Sequence, residues 1–177
     1  MALLATIAAP VPVIALALTI TLFFVSGIAW CFNLWVIPLI RLNTSDSAID
    51  QHKETVRRGG VWLEPLNAAI AASFAILAGL STQHASPEEA ALWKYYAAAS
   101  FVLVQVAWWE RVFVFSLDDA IAAMKDDKTN FKGERPHFHS GSQPEFHRLL
   151  SRWMVMHAAR PTLPFIAAVI ALWPRIP

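Results

Sequence analysis

Charged residues are scarce in this chain of 177 residues. They make up 15% of the sequence, whereas an average soluble domain has about 25%. Hydrophobic residues make up 56%, and this balance excludes an ordinary soluble domain and indicates a lipid environment. The net charge is only +1, and the lysines and arginines are spread over polar segments. Binding to phosphates needs a clustered basic surface, so we expect no nucleic-acid partner.

Cysteine is almost absent, since Cys31 is the only one and lies inside an apolar run. No intramolecular disulfide can form, so helix packing must hold the fold together. Lysine and arginine are missing from residues 1–20. A cleaved signal peptide begins with a basic segment, so we expect this region to be a retained membrane anchor.

Long apolar runs dominate the rest of the sequence. A helix needs about 20 mostly apolar residues to cross the hydrocarbon core of a bilayer. We predict helices at about residues 12–40, 61–80, 90–117 and 153–173. The expected fold class is all-α: an integral membrane four-helix bundle that forms a single transmembrane domain over residues 1–177.

The polar stretches between these runs predict the connections. Residues 41–60 carry both charge signs and end in a glycine pair, so we expect a loop on the membrane surface. A tight hairpin is expected at residues 81–89, which contain a helix-start pattern, Ser-Pro-Glu-Glu. Residues 118–127 alternate apolar and charged side chains at helical spacing and should extend the third helix. Residues 128–144 predict a long polar loop between the third and fourth helices.

Positive charge is distributed unevenly between these connections. Four lysines and arginines lie in residues 41–60 and six in residues 125–152, but none in residues 81–93. Basic loops stay on the cytoplasmic side, so we predict a multi-pass protein with both termini on the non-cytoplasmic side. Several tryptophans near the predicted helix ends suit the headgroup region, which is an alternative to a role in a binding site: Trp93, Trp108, Trp109, Trp153 and Trp173.

Polar side chains at membrane depth are candidates for function, because each is costly there unless it is paired or faces a cavity. The set comprises Asn33, Glu64, Asn67, Glu110, Arg111, His157 and Arg160. Glu64 and Asn67 share one helix face, which is either part of a site or a solvated helix start. Glu110 and Arg111 point about 100° apart, so each needs its own partner. Glu110 with Arg160, or Arg111 with Glu64, would form either a structural clamp or part of a catalytic site.

Trp153, His157 and Arg160 form the most informative pattern. Their spacings of four and three residues place them on one stripe of the fourth helix. The stripe combines an aromatic wall, an imidazole that can exchange a proton near neutral pH, and a permanent cation. The alternative is hydrogen bonding between helices, with the arginine extending towards the membrane surface.

Histidines in the polar segments give a weak metal signal. His137 and His139 form a His-x-His pair, His147 follows, and His52 lies in the other basic segment. A pair alone lacks the third ligand that a site needs, so no metal is the main expectation and a site at His137, His139 and His147 is the alternative.

The order of these motifs resembles the anthrone oxygenase-like family of small four-helix membrane proteins. Ser26-Gly27 followed by Val36-Ile37-Pro38 resembles the first helix of that family, and Gly60 with Pro65 resembles its second. The segment RWMVMHAARPTLPFIAAVIAL is similar to its last helix. Two positions depart from the family pattern: Val61 stands where a histidine is usual, and Ser116-Leu117-Asp118-Asp119 replaces a Pro-Thr-Asn-type stretch.

The resemblance implies an oxygenase that converts an anthrone-like polycyclic phenol to a quinone with molecular oxygen, without a metal or flavin, in polyketide-type secondary metabolism. It implies His157 as the base, Arg160 as the group that stabilises the oxyanion, and Asp118 or Asp119 as the group that orients His157 or the substrate. Trp153 and Trp109 would flank the planar substrate, and the remaining polar residues would help to bind it: Asn33, Glu64, Asn67, Glu110 and Arg111. In a fungal cell the location would be the endoplasmic reticulum.

Two other functions fit the same residues. A non-enzymatic carrier or membrane assembly factor would use the buried polar groups only to fix helix contacts. A metal-dependent membrane oxidase would use the loop histidines instead. The small residues of AAIAASFAILAG permit close helix packing within one chain or between subunits of a homo-oligomer.

Overall fold

The structure, a computed structural model, describes residues 10–43, 45–129 and 142–176. All regular elements in these ranges are helical. Helix α1 is Val11–Ile40, α2 is Ser45–Ser81, and a short helix, Pro87–Ala90, precedes α3. Helix α3 consists of Trp93–Trp109, Glu110–Val114 and Phe115–Thr129, and α4 consists of Ser142–His157, Ala159–Leu172 and a last turn, Trp173–Arg175.

Each of the four long helices has an apolar stretch long enough to cross a membrane, which confirms the predicted four-helix membrane bundle. Helices suit this environment because every backbone polar group is satisfied inside the segment. Large apolar side chains are exposed on the outside of the bundle, where a bilayer would cover them, among them Val13, Phe24, Trp62, Phe101 and Val155.

The helices pack with α4 between α1 and α3, while α2 lies mainly against α3. Two apolar clusters fill the interior. The hairpin-side cluster includes Leu22, Phe74, Tyr96, Leu103 and Ala167. The loop-side cluster includes Ile37, Ile49, Ile121, Phe146 and Trp153. Four buried polar residues lie along the helices between members of the two clusters and form a polar layer inside the apolar bundle: Asn33, Glu110, His157 and Arg160.

Helix α2 begins at Ser45, so the prediction of a surface loop at residues 41–60 was wrong for most of that segment. Glycine in a helix costs about 1 kcal/mol relative to alanine, so the pair at residues 59–60 favours a helix break when only the sequence is considered. Ile49 is almost fully buried, which contributes about 1.5–3 kcal/mol, and Ala48 and His52 are buried on the same side of the helix. This packing outweighs the cost of the two glycines.

The start of the fourth helix was also predicted too late, because α4 begins at Ser142 and not near residue 153. Phe146 and Leu150 lie one turn apart, and both are buried in the loop-side cluster. The polar extension of the third helix is confirmed, since α3 continues to Thr129. The middle of the expected long loop, residues 130–141, lies outside the described residues.

Three helices are irregular at the level of the polar layer. In α1 the residues Phe32–Val36 form a π-helical turn, directly before Pro38. In α3 the residues Glu110–Val114 form a second such turn. In α4 the helix is interrupted between His157 and Ala159, where Pro161 has no N–H to donate to the carbonyl of His157. Such irregular turns are frequent at functional sites, where they change the direction in which nearby side chains point.

Candidate active site

His157 is buried, and its ring is held in place by Trp153 and Asn33. Its ring stacks on Trp153, with centroids 4.2 Å apart and planes 14° from parallel. Its Nδ1 lies 2.9 Å from Oδ1 of Asn33, whose Nδ2 donates to the carbonyl of Met154 at 3.1 Å. Because the amide oxygen of Asn33 can only accept, a neutral His157 donates from Nδ1 and keeps Nε2 as its proton acceptor. The arrangement fixes a tautomer that suits a base.

Arg160 is the centre of a buried charge cluster. Its Nε lies 2.6 Å from Oε1 of Glu110, and its Nη2 lies 3.5 Å from Oε1 of Glu64. The side chains of Arg160 and Glu110 are 7% and 4% exposed, so both are removed from solvent. Of the two pairings weighed from the sequence, Glu110 with Arg160 is formed. Arg111 is exposed, and Glu64 faces Arg160 instead of Arg111.

A groove of about 450 Å³ lies between α2 and α3 and includes both carboxylates in its lining. One end is polar, with Glu64, Asn67, Glu110 and Arg111. Oδ1 of Asn67 is buried and has no hydrogen-bond partner among the described residues. The rest is apolar and shaped by small residues of α2: Ala68, Ala71, Ala72 and Ala75. Its volume is in the usual range for a small-molecule site, about 300–1,000 Å³. Four of the predicted binding residues therefore share one concave surface.

Asp118 lies next to the stripe of α4 but does not orient His157 directly. Its Oδ1 accepts a hydrogen bond from Nε1 of Trp153 at 2.6 Å, and Nε2 of His52 lies 3.7 Å away. Asn33 occupies the position on His157 that the sequence assigned to a carboxylate. Asp119 is exposed and points elsewhere, because adjacent helical residues diverge by about 100°.

The two tryptophans expected to flank the substrate do not line the groove. Trp153 is buried between His157 and His52, with the ring of His52 at 4.9 Å. Trp109 donates from Nε1 to the carbonyl of Met156 at 2.8 Å and so links α3 to α4. Phe115 is the aromatic residue of the groove.

The alternative metal site lies only partly within the described residues. His137 and His139 lie outside these residues, and His147 is half-buried beside Phe146. The part of the chain that the structure describes contains no group of three histidine, cysteine, aspartate or glutamate side chains placed to hold a metal ion.

The roles of His52 and of the alanines of α2 were not predicted from the sequence. His52 was considered only as a weak metal ligand in a loop, yet it is a buried helical residue against Trp153. The sequence contained one indication of this burial: His52 follows the apolar Ala48 by four residues, which places both on one face of a helix. The alanines of α2 were interpreted as helix-packing residues, and nothing in their spacing distinguishes a filled interface from an open groove.

A family model described as anthrone oxygenase matches residues 52–170, which is more than half of the chain. The match begins at His52 in α2 and ends in α4, so it includes the groove, Glu110, His157 and Arg160, but not Asn33. No curated protein and no solved structure matches the chain.

Proposed function

Because the chain belongs to the anthrone oxygenase family, we propose that it is a membrane-embedded oxygenase that oxidises an anthrone-like polycyclic phenol to a quinone with molecular oxygen and without a resident cofactor. The observation that carries the proposal is the groove between α2 and α3, whose polar end meets the buried pair of Glu110 and Arg160. A flat, apolar ring system suits its alanine-lined walls, and an oxygenated edge suits its polar end.

The reaction needs few groups from the protein. Removing one proton from the benzylic CH₂ gives an anion that is delocalised onto the ketone oxygen. This anion reduces O₂ and forms a C–O bond, which gives a hydroperoxide once the distal oxygen is protonated. Loss of the second benzylic proton breaks the O–O bond and leaves a C=O group and water. The balance is one O₂ consumed and one water formed for each quinone.

In this proposal the substrate lies in the groove with its ketone edge towards Arg160. Nη2 of Arg160 makes no hydrogen bond in the part of the chain described, but it is buried and Arg160 is not among the residues that line the groove. In this proposal Glu64, 3.5 Å from Nη2, moves aside so that Nη2 can donate to the oxyanion. His157 lies one turn before Arg160 on α4 and is not among the residues that line the groove. In this proposal its Nε2 takes the benzylic proton by way of one bridging water molecule. Glu64 and Asn67 accept hydrogen bonds from phenol hydroxyl groups of the substrate.

The test uses the purified protein in lipid nanodiscs, with an anthrone-type phenol under air and under nitrogen. We expect quinone only under air, with one O₂ consumed for each quinone formed. Anthrones also oxidise slowly by themselves, so an Arg160→Gln variant in matched nanodiscs sets the background rate. A wild-type rate no higher than this background would favour a carrier or assembly factor. A stoichiometric iron or copper in active protein would remove the basis of the cofactor-free mechanism.

A further inference from the structure

A second, smaller cavity lies about two helical turns from the groove along the same seam between α2 and α3. It has a volume of about 170 Å³ and is on the side of the loop-side cluster. One part of its wall is apolar and consists of Ile49, Val56 and Ile121. The other part consists of ionisable side chains. The ionisable residues are His52, Lys53, Asp118 and Asp119.

His52 is the unusual member of this cavity. The residue is 2% exposed, yet its buried Nε2 has no hydrogen-bond partner in the described part of the chain. The nearest acceptor is Oδ1 of Asp118, 3.7 Å away, which is too far for a hydrogen bond. An unsatisfied buried nitrogen costs about 1–3 kcal/mol, so it calls for a partner in the working protein. A water molecule in the adjoining cavity that bridges His52 and Asp118 supplies one.

The cavity is suited to water and opens towards the membrane surface. It is polar on one side and large enough for more than one water molecule, each of which occupies about 30 Å³ in the liquid. Lys53 and Asp119 are exposed, so the cavity reaches solvent on the side of the basic segments. His52 and Asp118 therefore lie between bulk water and the protein interior.

On their inner side, His52 and Asp118 adjoin the candidate active site. Trp153 separates them from His157 and contacts both histidines. The charges whose fields act on Asp118 are Arg160 on α4, the adjacent Asp119 and Glu64 on α2. The charge of Asp118 acts in turn on Glu110 of α3. The groups of the small cavity and those of the groove thus form one electrostatically connected cluster.

We propose that His52 and Asp118 form a proton-exchange site, filled with water, that connects the oxidation site to the membrane surface. The chemical purpose of this site depends on the proposed oxidation reaction. A base that has taken the benzylic proton inside an apolar bundle returns it to the carbanion unless the proton is passed on. The indole ring of Trp153 cannot relay a proton, so in this proposal the proton passes from His157 through water beside Trp153 to Asp118 and His52 while O₂ adds. It returns by the same route when the peroxide is converted to ketone and water.

The first arm of the test measures turnover in nanodiscs. His52→Phe keeps an aromatic ring against Trp153 but cannot carry a proton, so we expect kcat to fall by on the order of a hundredfold with little change in KM. His52→Ala leaves space for imidazole, and added imidazole should restore kcat in a saturable way. His147→Gln is the matched control and should keep the wild-type kcat. Wild-type turnover in His52→Phe would show that the ring only packs against Trp153 and would overturn the proposal.

The second arm needs no substrate. Infrared titration of the wild-type protein, compared with Asp118→Asn, identifies the carboxyl band of Asp118. We expect this band to follow the bulk pH and its midpoint to move in His52→Phe but not in His147→Gln. A band that ignores the bulk pH or the His52 substitution overturns the proton-exchange site even if wild type forms quinone. If no quinone forms but the band behaves as expected, the exchange site stands and the proposed oxidation fails.

Discussion

Asn33 determines how His157 can act, although the sequence predicted that it binds the substrate, and it is not among the residues that line the groove. Its amide nitrogen is used by a backbone carbonyl, so its oxygen is left to accept from Nδ1 of His157. Trp153 covers one face of the imidazole and prevents rotation. A base that is held in one tautomer and one orientation needs no rearrangement before it accepts a proton.

Replacing His157 by glutamine should remove the proposed base without removing the hydrogen bond to Asn33. We expect kcat to fall by on the order of a hundredfold or more, since this is the usual contribution of a general base. Quinone formation by protein that elutes as wild type in size-exclusion chromatography is the measurement. His84→Gln, on the hairpin at the far end of the bundle, is the control. Near-wild-type turnover in His157→Gln would exclude this residue as the base.

Removing Arg160 should destabilise the bundle more than removing the whole ion pair. Arg160→Met leaves the carboxylate of Glu110 buried without its partner, and breaking a buried pair in this way costs about 3–5 kcal/mol. The double variant Arg160→Met with Glu110→Gln should recover most of this loss, because no unpaired charge remains. Unfolding in mixed detergent micelles, followed by tryptophan fluorescence, gives both values. Equal stability of the single and double variants would contradict a coupled pair.

The sequence predicted Glu110–Arg160 as one of two alternatives, and helix geometry explains why it could go no further. Adjacent residues diverge around a helix, so Glu110 and Arg111 had to face different neighbours. Only the rotation of α3 in the bundle decides which of them points inward. The π-helical turn at Glu110–Val114 affects that rotation, and the segment ERVFV carries no proline or glycine that would predict it.

At the scale of helices, each irregular segment carries a polar side chain of the site. Asn33 lies in the π-helical turn of α1, Glu110 begins that of α3, and His157 ends the first segment of α4. Proline accounts for two of these three irregularities, since Pro38 and Pro161 lack a backbone donor. Pro38 and Pro161 are therefore sequence signals for the irregularities in α1 and α4, whereas the sequence contains no such signal for the π-helical turn in α3.

The small residues of α2 should control access to the groove. Ala72→Leu places an isobutyl group in the groove lining, so we expect a higher KM for a tricyclic phenol and a smaller effect on a single-ring phenol. Ala69→Leu is the matched control, because Ala69 is also exposed on α2 but does not line the groove. Steady-state kinetics of both variants provides the comparison. Equal kinetics in the two variants would place the substrate elsewhere.

At the scale of the whole molecule, hydropathy predicted the four helices, whereas burial decided where two of them begin. Ile49 lies in a segment predicted to be a surface loop, and Phe146 and Leu150 precede the predicted start of the fourth helix, but all three are buried in the loop-side cluster. A hydropathy run measures the part of a helix inside lipid and misses the part that extends beyond it. The small cavity at His52 lies in that extended part, so it was also missed.

The distribution of basic residues predicts how this bundle is oriented in the membrane. The basic segments lie at the end of the bundle that contains the small cavity, and the hairpin after α2 lies at the other end. Basic segments are retained on the cytoplasmic side, so we expect the proton-exchange site to face the cytoplasm. Single-cysteine variants in a Cys31→Ser background test this. A membrane-impermeant maleimide should label Thr82→Cys in intact cells but Asn43→Cys only after permeabilisation. The reverse pattern would invert the topology and direct the small cavity to the opposite side.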